Sequence, residues 1–540
     1  MTSHKNQRQA SGPRLQGGRK QPGTPRKESP ERTWRHAGAV PYALGFLLLW
    51  IFAAWIYGPV FERAEQESFV SFNADQMKFL TDQAWGWLYL PARVGLLAFK
   101  SPLLGGLGLA LIGTLTARLV DLLLRLPRQW RGTGFILPMA VMNFLVWRGL
   151  NLYYFCEPSI IVWLPLCALL AAALAWAIAR LLRRRPEKQE KATPRQAHRG
   201  RLSQLAGCAV VLALGIQLYA YALTAGQNVR LESRMQLRCQ DADWQGMIRD
   251  ALAARHPSRT IAAYHAIALL QEGQLLERLF EIPYNYPDEK LHNVYNNDEG
   301  FNYIPDCNFY AGLINSAYRS CMEKTVQGGP SLFTLKRMAI CAIMSGDKDL
   351  ARKYLFIIGH TPFEQAFVDR YLPLVTDPSR IEADAELAAV RALKPIEQKF
   401  EQEYRPVAFM GYNVGVITGP DATLVTSVAA ALYSKDLNNV AMRAAYLRSV
   451  HPLPAYVRQA LAIAAFRRPE LLAQYPEVDA LTRSEVAAFL QAAIPFRGKP
   501  EEMAKALRKD WLGTYMYYYY CGNIAAPTTS DAPQEKGGIN

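Results

Sequence analysis

Long apolar runs separated by short polar breaks dominate the first 226 residues of this 540-residue chain. About 20 consecutive apolar residues are enough to cross the hydrocarbon core of a bilayer as a helix. A shorter apolar stretch, 85–100, is interrupted by Pro91 and Arg93, and we expect an interfacial or re-entrant segment there. The pattern predicts a transmembrane domain over 37–226, with spans at about 38–60, 102–124, 134–155, 159–181 and 203–225.

Beyond residue 226 the pattern changes to helical periodicity with few strand signals. Gly273, Gly312 and Gly346 each stand between two apolar helical stretches, at spacings of 39 and 34 residues. Helical hairpins of the tetratricopeptide type repeat about every 34 residues and bury their apolar faces by stacking. The sequence therefore predicts an all-α protein: a polytopic transmembrane helical domain, then a soluble α-helical repeat domain, a TPR-like α-solenoid, over 227–524.

Charge is distributed unequally between these two parts. Residues 1–226 carry 27 Lys and Arg against 11 Asp and Glu, whereas residues 227–540 carry 34 against 35. A nucleic-acid-binding domain shows its positive charge on a folded surface, and here the soluble domain is neutral. We therefore expect no nucleic acid partner and assign the basic excess to the lipid bilayer.

Lys and Arg flanking transmembrane helices stay on the cytoplasmic side. With five spans, one side carries 22 of them, in the basic tail 1–36 and in loops 118–131 and 180–201, and the loops of the other side carry four. This predicts a multi-pass protein of the bacterial cytoplasmic (inner) membrane. The N-terminus would be cytoplasmic and the C-terminal domain periplasmic or extracytoplasmic. Residues 1–36 and 525–540 are too polar to bury a core, and we expect them to be disordered.

No familiar catalytic motif is present, and we expect neither a cofactor nor a metal. Arg148 lies within the third predicted span, where a charge is costly and often functional; the alternative is that it reaches the outer interface. The acidic stretch after the first span, with Glu62, Glu65 and Asp75, could hold a cation or act as a general base. Its alternative is a solvated acidic loop.

A polar, Tyr-rich stretch over 282–309 contains Asn297 and Asp298 and could line a pocket for a polar ligand such as a sugar. The alternative is a long loop between helices. Cys307 and Cys321 could pair on an oxidising side. We favour small buried thiols instead, because free cysteine is among the most buried residue types.

The order of elements is an anchor, an acidic outer loop, further spans and then a helical array, and several short motifs accompany it. These motifs are 268–275 (ALLQEGQL), 310–317 (YAGLINSA), 335–337 (LKR), 351–355 (ARKYL) and 513–519 (GTYMYYY). Together they resemble a family of uncharacterised multi-pass bacterial membrane proteins with a tetratricopeptide-like C-terminal half. The resemblance implies architecture and no assigned activity.

The function that we expect is a membrane-anchored binding or scaffold protein of the cell envelope, more a binder than an enzyme. Its extracytoplasmic repeat domain would bind a protein or glycan partner. The alternative is an integral membrane transferase, for a glycosyl or acyl group, acting on a lipid-linked substrate at the outer face. For that enzyme, Arg148 and the acidic loop should meet in one cavity.

Overall fold

The computed structural model describes residues 39–83, 85–127, 130–149, 158–182, 194–284, 302–394 and 421–522. Every regular element within these ranges is a helix, so the all-α prediction is confirmed for this part of the chain. The two predicted disordered tails lie outside the described residues, as do Asn297 and Asp298.

The apolar N-terminal half contains helices α1 to α8. Their bounds are Val40–Ile51 (α1), Gly58–Gln66 (α2), Ala74–Asp82 (α3), Gly86–Leu96 (α4), Pro102–Leu123 (α5), Ile136–Arg148 (α6), Ile160–Leu182 (α7) and Pro194–Thr224 (α8). Three helical stretches are long and apolar enough to cross a membrane, namely α5, α7 and Leu205–Thr224 of α8. A fourth is possible if α1, with its π-helical continuation to Ile56, forms one span with α2 across a bend of 62°. Helix α6 and the 3-10 turn before it are apolar but shorter.

Helix α5 is the centre of this half, because it packs against α1, α6 and α7. Small residues permit that approach. A Cβ atom placed on Gly106 would lie 3.0 Å from the backbone nitrogen of Ala54, and one placed on Gly113 would lie 2.6 Å from Leu49. Helix α8 packs against α1 and α6 and leads into the second half.

The C-terminal half begins at Gln227 and consists of shorter helices whose neighbours in sequence pack on one another. Their bounds are Gln227–Gln240 (α9), Trp244–Ala253 (α10), Arg259–Gln271 (α11), Leu275–Arg278 (α12), Ile304–Tyr310 (α13), Ile314–Gly328 (α14), Leu332–Ser345 (α15), Lys348–Gly359 (α16), Gln365–Thr376 (α17), Ala385–Ala392 (α18), Asp421–Tyr433 (α19), Leu437–Val450 (α20), Ala455–Ala465 (α21), Leu471–Gln474 (α22), Ala480–Ala493 (α23), Pro500–Trp511 (α24) and Tyr515–Cys521 (α25).

Turn glycines separate several of these helices, as their spacing in the sequence suggests. Gly273, Gly312 and Gly346 have φ angles of 68°, 80° and 79°. This is the left-handed region, which glycine enters without the strain of a side chain. Cys307 and Cys321 are buried, free thiols in the helices beside these turns.

The polar stretch that follows α2 belongs to the core of the C-terminal half. Phe69 and Leu80 are part of the same hydrophobic cluster as helices α9 to α25. The amide of Leu332 donates to the carbonyl of Ser68 over 3.0 Å, and the amide of Phe72 donates to the carbonyl of His360 over 3.1 Å. The alternative of a solvated loop fits the exposed Asp75 but not Phe69 and Leu80, because these apolar side chains are buried and the stretch supplies backbone hydrogen bonds that the helical half uses.

Candidate functional site

A buried chain of polar contacts connects α2 to the middle of the helical half. Arg63 is fully buried and its Nη2 donates to Asn302 Oδ1 over 3.1 Å. The Tyr264 hydroxyl lies 3.0 Å from both the Asn302 carbonyl and Asp306 Oδ2. Asp306, also fully buried, accepts from Arg337 Nη2 over 2.6 Å. Buried charges are tolerated when they are paired and hydrogen-bonded in this way. These polar contacts therefore hold α2, α11, α13 and α15 to one another.

Among the residues of this set of polar contacts, Arg337 lines a cavity. It lies on α15, which starts at a reciprocal capping box between Ser331 and Thr334. Its guanidinium lies over the rings of Phe309 and Tyr310, 4.1 and 4.9 Å from their centres. Its Nε and Nη1 are buried and donate to no acceptor among the described residues. Both nitrogens are closed to solvent, so Arg337 contributes its positive charge to the cavity wall rather than a free donor.

The cavity beside Arg337 has a volume of about 320 Å³. One wall is an acid–base pair, in which Arg370 Nη2 lies 3.0 Å from Glu386 Oε2. The Tyr310 hydroxyl donates to the other oxygen of Glu386 over 2.8 Å. The complete lining is Gln66, Gln240, Asp241, Tyr310, Leu332, Phe333, Lys336, Arg337, Ile340, Ala366, Phe367, Arg370, Tyr371 and Glu386.

A second group of charges lies where the two halves of the protein meet. Glu364 is buried, and its two carboxylate oxygens contact Lys100 and Lys336, the latter at 2.6 Å. Lys100 also lies 3.8 Å from Glu65. Burial raises the pKa of Glu65 to about 7, and the nearby Lys100 offsets only part of that effect. Lys336 lines the cavity, so this group connects the cavity to Glu65 on α2 and to Lys100 before α5.

Cations, carboxylates and aromatic rings thus converge on one concavity, an arrangement typical of a site for a polar ligand. Guanidinium groups take carboxylate, phosphate or hydroxyl oxygens, and the rings of Phe367 and Tyr371 offer apolar faces. Burial raises the pKa of Tyr371 to about 12, and the charge of Glu386 acts in the same direction. The described residues contain no group of three or more His, Cys, Asp or Glu side chains that could hold a metal ion.

Residues 158–522, about two thirds of the chain, match the sequence model of a family of unknown function, DUF6057. The chain belongs to this family. The search of curated proteins and the search of solved structures give no significant match. The family match includes the cavity lining from Gln240 to Glu386 but ends short of Gln66 and Glu65 on the N-terminal side.

Three acids predicted as candidates have different surroundings in this DUF6057 protein. Glu62 is half-buried on α2, and burial together with the charge of Asp241 raises its pKa. Glu65 is buried one turn further along α2, beside Lys100. Asp75 is exposed in the first turn of α3, which Asn73 caps. None of the three lines the cavity, although Gln66, which follows Glu65, does.

The other predicted candidates lie elsewhere. Arg148 is the last residue of α6, and its guanidinium lies 5.7 Å from the centre of the Trp147 ring. It does not line the charged cavity, so the structure does not bring it and the outer acids together there. Asn297 and Asp298 belong to the undescribed range that precedes Asn302.

Sequence reasoning missed the residues that form the cavity. Lys336 and Arg337 carried a signal, because these two charges interrupt a largely apolar run between Leu332 and Ile343 on a buried helix. Arg370 and Glu386 gave no such signal. They lie on different helices of an ordinary charged surface and meet only after folding.

Proposed function

We propose that this protein is a membrane-anchored binding protein of the bacterial cell envelope. In this proposal the N-terminal half crosses the cytoplasmic membrane with the N-terminus inside. The C-terminal helical half lies outside the cytoplasm as a TPR-like array. Its charged cavity takes one acidic side chain or one sugar unit of a protein or glycan partner.

The membrane placement is supported by α5, α7 and the second part of α8, which are long and apolar enough to span a bilayer. It is also supported by many exposed large apolar side chains on these helices, including Leu104, Leu174 and Ile216, which water would disfavour. The excess of Lys and Arg in the tail and in 180–201 supports the orientation.

The observation that carries the binding role is Arg337 at the wall of the cavity. Its position is fixed by Asp306 and two aromatic rings, yet two of its nitrogens have no acceptor among the described residues. The cavity volume of about 320 Å³ is at the lower end of the range for small-ligand sites, about 300–1,000 Å³. A rigid cation at the wall of such a cavity, with Lys336 and Arg370 also in the lining, favours recognition of an oxygen-rich group.

Photo-crosslinking in living cells tests this proposal with the full-length protein. A photoreactive residue at Phe367, which lines the cavity, should give a discrete crosslinked product. The same residue at Phe356, exposed on α16 outside the cavity, should not. Introducing Arg370→Gln beside the probe should weaken the product, because Arg370 supplies one of the charges at the wall. Treating the product with proteases or glycosidases separates a protein partner from a glycan.

Equal crosslinking from both positions, or a product unaffected by Arg370→Gln, would count against a cavity-directed partner. The orientation is tested separately with a reporter tag inserted after Asn228. A signal from the cytoplasm would refute the envelope role whatever the crosslinking shows.

A further inference from the structure

A second charged cavity lies at the other end of the apolar half, where α5 ends. It has a volume of about 270 Å³, and Arg118, Arg125 and Arg131 line it. Asp121 is the one acidic residue in its lining. Three guanidinium groups and one carboxylate leave a formal charge of +2 in a space the size of a lipid headgroup site.

Asp121 is already committed to hydrogen bonds within the fold. Its Oδ2 accepts from the Tyr42 hydroxyl over 2.5 Å and from the amide of Gly132 over 2.8 Å. Its Oδ1 accepts from the amide of Gly134 over 2.8 Å. Asp121 is also 96% buried, since its relative exposure is 4%. Its carboxylate therefore fixes the turn after α5, and its single negative charge leaves positive charge in excess in the cavity lining.

Tyr42 gives the site a fixed wall. The guanidinium of Arg118 lies 5.8 Å from the centre of the Tyr42 ring, while the hydroxyl of that ring is bound to Asp121. Leu124 and Trp130, close to the cavity in sequence, expose 61% and 47% of their surface. Exposed apolar residues within a few positions of the basic lining, at the end of a helix long and apolar enough to span a bilayer, suit a ligand with a phosphate head and an acyl chain.

We propose that this cavity binds a phosphate group, carried by an anionic phospholipid of the surrounding membrane. Arg125 and Arg131 would take the phosphate oxygens, since guanidinium forms paired hydrogen bonds with phosphate. Arg118, held against Tyr42, would contribute its charge. Binding of the phosphate does not depend on the proposed envelope role. Its lipid source does rest on the proposed membrane placement.

The test uses full-length protein in nanodiscs of phosphatidylcholine into which phosphatidylglycerol of the same acyl composition is titrated. Native mass spectrometry reads the phosphatidylglycerol that stays bound after ejection. Arg125→Gln and Arg131→Gln should each lower the apparent affinity about tenfold, because each removes one charge-assisted contact. Arg180→Gln is the matched control, since Arg180 is exposed near the end of α7 and lies over Trp176 instead. Arg125→Lys should restore part of the affinity by restoring the charge.

A second arm adds inorganic phosphate to delipidated protein in detergent and measures the thermal midpoint. An arginine-dependent shift there, without selective binding of phosphatidylglycerol, supports the phosphate site and assigns it to a soluble phosphate. Equal loss of lipid binding in the Arg180→Gln control, or unchanged binding of both ligands in the Arg125→Gln and Arg131→Gln variants, overturns the proposal. Recovery of the protein without detergent would instead refute the membrane placement alone, since the phosphate arm still reports on the cavity.

Discussion

Replacing Asp306 with asparagine tests whether the buried charge pair controls the stability of the helical half. In the folded protein Asp306 Oδ1 accepts from Arg337 over 2.6 Å, and both side chains are at least 95% buried, with exposures of 0% and 5%. Asparagine has nearly the same shape and can still bond to the Tyr264 hydroxyl. What changes is that Arg337 keeps its charge while losing its counter-charge.

Removing one partner of a buried ion pair costs about 3–5 kcal/mol. The rings of Phe309 and Tyr310 remain beside the guanidinium and place the expected loss at the lower end of that range. At about 2 °C per kcal/mol for a large domain, a loss of about 3 kcal/mol means that the Asp306→Asn variant should denature roughly 6 °C below the wild type. Thermal unfolding of the full-length protein, followed by tryptophan fluorescence, measures this difference.

The double variant Asp306→Asn, Arg337→Met removes both charges and should be no less stable than Asp306→Asn alone, because no buried charge is then left without a partner. Asp349→Asn is the control. Asp349 pairs with Arg352 on α16, but its side chain is 98% exposed, and such pairs contribute little. A midpoint for Asp306→Asn within about 2 °C of the wild type, or a double variant that loses the sum of both single effects, would refute the reasoning.

Two further changes probe the charge group at the junction and the turn glycines. Burial raises the pKa of Glu65 from 4.5 to about 7, so the folded protein is most stable with this carboxyl protonated, and that contribution is lost as the pH rises through about 7. Glu65→Gln should therefore stabilise the protein by up to about 3 kcal/mol near pH 8. The accompanying gain in thermal midpoint should disappear near pH 4.5. A gain that does not depend on pH would contradict the shifted pKa of Glu65. Gly346→Ala should cost about 1–2 kcal/mol for its left-handed backbone alone, since a Cβ there meets nothing within 4 Å. Gly312→Ala should cost about 1–3 kcal/mol more than Gly346→Ala, because its Cβ would lie 2.5 Å from the backbone of Leu393. Equal thermal midpoints for the two variants would show that Gly312 and Leu393 are not in tight contact.

The fold class was predictable because it depends on local periodicity. The apolar runs that became α5 and α7 exceed the length of ordinary core helices, and the turn glycines mark where paired helices reverse. Gly273 and Gly346 have the positive φ that such turns require. No property of the sequence beyond spacing and residue type was needed for these elements.

The candidate site was less predictable, because its residues come together only in the tertiary structure. Glu65 stood out as one acid of an acidic stretch, whereas its environment is set by burial and by Lys100, which also contacts Glu364, almost 300 positions later in the chain. Arg370 and Glu386 look like ordinary surface charges in the sequence, and only folding brings them into contact with each other and Glu386 with the Tyr310 hydroxyl. The position of a charged residue in one sequence does not reveal which other helix carries its ion-pair partner.

The segment from α2 to α3 forms contacts with residues that are synthesised much later. Arg63 meets Asn302 across 239 positions, and Ser71 meets His360 across 289. At translation rates of about 5–20 residues per second, the contact partners of this segment are synthesised roughly 12–60 s after it. During that interval Phe69 and Leu80 have no helical half to cover them. Until those helices are made, this segment exposes apolar surface, which favours aggregation of the incomplete chain.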